Sequence, residues 1–234
     1  KYTSVATGGS ECYNWNEIFR GGSWFHLTGI TPALSKTIPA VCINACRKAR
    51  EMGLTVSLDL NYRKKLWSRE DARRVMTGLM PYVDVLIANE EDAKDVFGIE
   101  AENTDIHGGK LNYEGYKSVA KQLKDTFGFE KVAITLRTSY SANDNDWAAM
   151  LYDGNEYYFS KKYSVRIVDR VGGGDSFGAG LIYGFLSGKN CQGALEFAVA
   201  ASCLKHSIEG DYNMVSVDEV EKLAGGDGSG RVQR

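Results

Sequence analysis

The run Ile167-Val168-Asp169-Arg170-Val171-Gly172-Gly173-Gly174-Asp175-Ser176-Phe177 sets three consecutive glycines between a β-branched stretch and an apolar helical pattern. Glycines at a helix start leave backbone N–H groups free and let a ligand touch the main chain. Those donors and the helix dipole form an anion site, for which phosphate is the natural guest. A carboxylate in the same turn, Asp175, competes with that anion. It makes chemical sense as a general base beside a transferring phosphoryl group, taking the proton of an attacking hydroxyl while the amides of Gly172, Gly173 and Gly174 hold the developing charge. The plainer alternative is a helix-favouring acid after a flexible turn. The strand before the turn, the Gly-rich helix after it and a second Asp six residues upstream favour the chemical reading.

A crossover fold is needed to present such a turn. Apolar runs of strand length (23–29, 54–61, 83–89, 131–137) alternate with stretches of helical spacing (38–52, 69–79, 90–97, 112–127). Ser68 is placed to cap the helix over 69–79. Three short strands follow in 147–168, the first two joined by Asp153-Gly154-Asn155, a hairpin signal. Helical patterns then cover 175–187, 191–206 and 216–224. Strand–helix alternation implies an α/β fold with a mainly parallel sheet flanked by helices, in which ligands bind beyond the carboxyl ends of the strands. The residues just after each strand therefore matter most: Thr28-Gly29, Asp59-Asn61-Arg63, Asn89 to Asp92, Arg137-Thr138 and Asp169 to Asp175.

The 167–177 run resembles the C-terminal signature of the ribokinase-like (PfkB) sugar kinases, D-T-x-G-A-G-D. Arg170 stands where that family usually has Thr, and Gly173 where it has Ala. The resemblance implies a ribokinase-like three-layer sandwich, with Asp175 as catalytic base, Gly172 to Gly174 as anion hole, and ATP and Mg²⁺ as cofactors. The segments Trp24 to Pro32 and Asp59 to Trp67 resemble the branch acting on 2-keto-3-deoxygluconate. There Arg63 would meet the sugar-acid carboxylate with a two-donor fork, and Tyr62 and Asp211 would join Asp175 around the substrate. Asn61, Thr135, Arg137 and Thr138, with Gly172 and Gly174, would meet ATP, although 135–147 lacks the glycine the family carries there. Asn89 to Asp92 resembles the N-x-x-E motif that helps place Mg²⁺ through waters; Asp92 is one methylene short, and Glu91 is the other candidate carboxylate. The family's N-terminal strands and lid sheet have no counterpart in this sequence, which reads as the C-terminal two thirds of such a kinase. The domain then spans 1–223, with a Gly-rich flexible tail over 224–234. The resemblance is compatible with a homo-oligomer and with a cytoplasmic location. Two other readings stay open: a kinase of a neutral sugar, fructokinase-like, or a non-catalytic sugar- or nucleotide-binding fragment.

Composition bounds the rest. The chain has 234 residues, 43% hydrophobic and 25% charged, enough for a sizeable core. With 28 basic and 30 acidic residues there is no basic excess to drive nucleic-acid binding. No apolar run reaches the length of a membrane span. The five cysteines include no C-x-x-C pair, and reduced thiols are expected, with Cys42 and Cys46 as small buried residues of a helix. His26 and His206 read as structural histidines, and His107 as exposed.

Overall fold

A computed structural model describes residues 3–100 and 113–226. In chain order the elements are α1 (Ser4–Thr7), α2 (Trp15–Ile18), β1 (Trp24–Thr28), α3 (Ile38–Glu51), β2 (Thr55–Asp59), α4 (Arg69–Leu79), β3 (Val85–Ala88), α5 (Glu90–Phe97), α6 (Tyr113–Phe127), β4 (Lys131–Ser139), β5 (Asp144–Tyr152), β6 (Tyr157–Phe159), β7 (Tyr163–Arg166), α7 (Gly173–Leu186), α8 (Cys191–Lys205) and α9 (Val217–Ala224). Hydrogen bonding orders the strands β1-β2-β3-β4-β5-β6, with β7 on β5. The fold is the expected α/β arrangement, with a mixed sheet. His107 and the expected tail beyond 226 lie outside the described residues.

The chain folds as two compact units. The first takes residues 3–100, 113–134 and 152–155; the second takes 135–151 and 156–226. In the first unit β1, β2, β3 and the start of β4 run parallel, with Leu27 opposite Leu58, Leu58 opposite Leu86, and Leu86 opposite Val132. All four residues of β3 are buried, as parallel strands covered on both faces require. Ser68 caps α4 by accepting the Asp71 amide, as its position predicts. Asp84 is a structural acid that the sequence does not announce. Its carboxylate pairs with Arg50 and accepts the Val56 amide at 2.8 Å, while its own carbonyl accepts the amides of Glu130 and Lys131. One residue, by its side chain and its carbonyl, thus ties the entry ends of β2, β3 and β4. Cys42 and Cys46 are buried in α3, and burial pushes each thiol up to about 12.

In the second unit β5 and β7 pair antiparallel. β5 begins at Asp144 rather than near Trp147, because the turn before it is closed by Ser141 and Asp144 bonding to one another. The glycine-rich α7 lies close against α8. A Cβ on Gly180 would fall 2.9 Å from Ala198 Cα, and one on Gly184 would fall 2.7 Å from Ala194 Cα. Glycine facing alanine lets the two backbones approach. Behind α8, Phe197, Ala200 and Ala201 pack on Val220 of α9. Overpacking a tight contact costs roughly 1–3 kcal/mol. Gly184→Val, whose branched side chain meets backbone, should therefore lower the urea midpoint by at least that equivalent. Ala179→Val, on the exposed side of the same helix, should leave it within about 0.5 kcal/mol.

Candidate active site

α7 starts at Gly173, two residues earlier than the apolar pattern suggests. Gly172 is its N-cap, with φ +79, a backbone that favours glycine. Its missing side chain also matters for space: a Cβ would lie 2.3 Å from the Asp211 carbonyl oxygen. Asp175 is consequently the third helical residue. Its side chain is exposed and makes no hydrogen bond or ion pair among the described residues. The amides of Gly172, Gly174 and Asp175 have no partner among those residues either, and the Gly173 amide makes only a long bond of 3.4 Å to the Arg170 carbonyl. A free carboxylate and a set of free donors therefore share one turn.

The turn is held from both sides by Asp169. Its carboxylate accepts the Val171 amide at 3.0 Å and the Gly210 amide at 2.8 Å, joining the loop before α7 to the loop after α8. These two donors, chiefly, hold its pKa below the usual carboxylate range. Through this link the backbone of Asp211 meets Gly172 directly, and the Asp211 side chain stays exposed. The Arg170 guanidinium donates to the Ala142 carbonyl at 2.8 Å, tying the same loop to the β4–β5 turn. On β4, Arg137 lies within electrostatic reach of His206. Strand alternation puts Thr135 and Arg137 on one face and Thr138 on the other, so these three cannot act as one cluster.

In the first unit the exits of β1, β2 and β3 gather a second set. Gly29 donates to the Asp59 carbonyl, and a Cβ there would lie 2.0 Å from the Leu60 carbonyl oxygen. Asn61 is the one described non-glycine residue with positive φ, at 39°, and its Nδ2 donates to Thr28 Oγ1 at 3.1 Å. Tyr62 is buried, its hydroxyl donating to the Trp67 carbonyl at 3.2 Å. Arg63 is exposed and is followed by Lys64 and Lys65, also exposed.

Asn89 caps α5: its Oδ1 accepts the Asp92 amide at 2.7 Å and its Nδ2 donates to Asp92 Oδ2 at 3.1 Å. Asp92 is buried, which pushes its pKa up to about 7 against the opposing pull of Arg63 and the Tyr62 amide. Asp92 is thus tied both to half-buried Asn89 and to the Tyr62 amide. No group of three metal-binding side chains forms among the described residues.

The sequence motifs are thus brought together within each unit. What spacing did not reveal is the support beneath the glycine turn. His206 is buried, with Nδ1 2.6 Å from the Ser202 carbonyl. Burial, together with the charges of Arg170, Lys205 and Arg137, pulls its pKa below the ordinary value.

A family model for pfkB family carbohydrate kinases matches residues 6–218. The chain belongs to that family. It is 32% identical over 212 residues to a 2-dehydro-3-deoxygalactonokinase of Haloferax volcanii, covering 90% of this chain and 60% of that protein. It is 28% identical over 201 residues to a 2-dehydro-3-deoxygluconokinase of Thermoproteus tenax, covering 85% and 54%. The crystal structure of 2-dehydro-3-deoxygluconokinase from Thermotoga maritima superposes with a TM-score of 0.90 at 47% identity, covering 96% of this chain and 66% of that one. The chain thus spans between about half and two thirds of each of these relatives.

A depressed histidine pKa has a definite sign. Below the ordinary value of about 6.5 the unfolded chain takes a proton that folded His206 refuses until lower pH. Stability from this group is present above that range and is lost as pH falls through it. The drop in urea midpoint from pH 7.5 to 5.5 should be smaller in His206→Phe than in the parent protein.

Proposed function

We propose that the protein is an ATP-dependent kinase of a 2-keto-3-deoxy sugar acid, 2-keto-3-deoxygluconate above all, acting on its 6-hydroxyl. The observation that carries this reading is the free Asp175 carboxylate standing in the same helical turn as unpaired main-chain amides. Family membership and the names of the relatives at 32% and 47% identity support the substrate class.

In the proposed reaction the hydroxyl gives its proton to Asp175 as its oxygen attacks the γ-phosphorus of ATP. The bond from that phosphorus to the β–γ bridging oxygen breaks, and ADP carries the electron pair away. Positioning and charge stabilisation supply most of the catalysis in such transfers. The amides of Gly172, Gly174 and Asp175 would hold the charge on the transferring group. Mg²⁺, arriving with ATP, would neutralise phosphate charge, and Asn89 and Asp92 would help to place it through waters. Arg63 suits the sugar-acid carboxylate, because a planar guanidinium offers paired donors. Asp211 suits a sugar hydroxyl as acceptor. The Tyr62 ring, its hydroxyl spent within its own turn, would offer a wall rather than a hydrogen bond. Such a reaction belongs in the cytoplasm, where ATP is at hand.

Asp175→Asn should cut kcat by about 10² to 10⁴ while ATP binding persists, since acid–base help is worth that much. A coupled ADP-release assay with calorimetry of ATP binding checks both halves; normal turnover by the variant refutes the base assignment. Arg63→Ala should raise KM for the sugar acid by at least about tenfold, the worth of a charge-assisted hydrogen bond. Comparing fructose with 2-keto-3-deoxygluconate as acceptor makes the test specific. Equal losses on both would point to a neutral-sugar kinase instead.

A further inference from the structure

The first turn of α7 has a difficulty that its own sequence cannot resolve. Gly172, Gly173 and Gly174 carry no side chains to pack, and glycine has the most backbone freedom to lose. A turn that must aim amides and a carboxylate at a reacting phosphorus needs a rigid neighbour. The last turn of α8 supplies one. Ser202 is fully buried, and its Oγ donates to the Gly173 carbonyl at 2.7 Å. His206 Nδ1 lies 2.6 Å from the Ser202 carbonyl, which can only accept, so Nδ1 carries the hydrogen. The imidazole leans on Trp147 with ring centres 5.0 Å apart. Its other edge faces Gly173: a Cβ there would sit 2.8 Å from both Cε1 and Nε2. Finally, the His206 carbonyl accepts the Val168 amide at 2.8 Å and the Asp169 amide at 3.3 Å.

We propose that Ser202 and His206 are positioning residues for the glycine turn, setting the height and tilt of its amides and of Asp175 without touching a substrate. The proposal rests on the site reading given above and adds the part of the structure that holds that site in register. Support reaches Gly173 by one hydrogen bond and one ring edge, and reaches the preceding loop by two more hydrogen bonds. Displacing catalytic donors by a fraction of an ångström costs transition-state binding more than ground-state binding. The loss should therefore appear in kcat.

Ser202→Ala removes the donor and keeps the ring. His206→Phe keeps a flat ring against Trp147 and Gly173 and removes Nδ1–H. Each should lower kcat by about 10- to 100-fold, a fraction of what one anion-hole donor contributes, with KM for ATP and for the sugar acid within about twofold. Binding of ADP with fluoroaluminate should weaken by the same factor, while ADP alone binds as before. Hydrogen–deuterium exchange on the unliganded protein gives a reading that does not need activity. The hydrogen-bonded amides of Val168, Asp169, Val171 and Ser176 should exchange about tenfold faster in both variants, the equivalent of one hydrogen bond, with α3 and α9 unchanged. Unchanged exchange and unchanged kcat overturn the proposal, and so does faster exchange spread evenly over the chain. A parent protein that neither turns over nor binds a sugar acid would strike down the substrate reading instead. Confined acceleration at 168–176 would then still uphold the positioning role.

Discussion

One carboxylate receiving two amides from distant loops organises the second unit. Asp169 takes Val171 on its own side and Gly210 from forty-one residues further along the chain. A carboxylate with two backbone donors is strongly held in its ionised form. Because both donors belong to loops, that preference becomes a constraint on where the two loops meet. The carbonyl of Asp211 then closes on Gly172, and only a glycine leaves it room. The acid farther from the helix fixes the main chain, while Asp175 stays unpaired and exposed.

This division of labour explains why the turn is so rich in glycine. Two kinds of requirement fall on neighbouring residues. Gly172 meets a left-handed backbone and a close carbonyl, Gly173 meets a ring beneath it, and Gly174 opens on empty space. Further along α7, Gly180 and Gly184 meet a different demand, close approach to α8. Since α8 ends in the residues that brace the turn, tight packing of the helix pair and definition of the turn are mechanically linked. A helix with bulky side chains on that face would stand off from α8 and lose the brace.

Much of this was legible in the sequence because the relevant signals are local. Strand and helix periods, the Ser68 cap and the glycine run with its two aspartates all lie within windows of a dozen residues. The exits of the parallel strands pointed to Asn61, Arg63 and Asn89 by topology alone. What could not be read has its partner far away in the chain. The link from Asp169 to Gly210, the four contacts gathered by Asp84 and the bond from Ser202 to Gly173 have no spacing signature. Ser202 sits in a run of small apolar residues and resembles its neighbours until its hydroxyl is seen to face a buried carbonyl. The Asn89 to Asp92 segment shows the complementary limit: the motif could be seen, but not that Asp92 is buried and hydrogen-bonded to Asn89.

The left-handed backbone at Asn61 narrows what evolution can write at that position. Asparagine visits this region more readily than most side chains do, and its amide also reaches Thr28. Glycine would relax the torsion and cut the tether; valine or isoleucine would be strained and could not make it. The alphabet allowed at one residue beside a cationic loop is thus set by a dihedral angle and a hydroxyl partner, whatever molecule that loop serves.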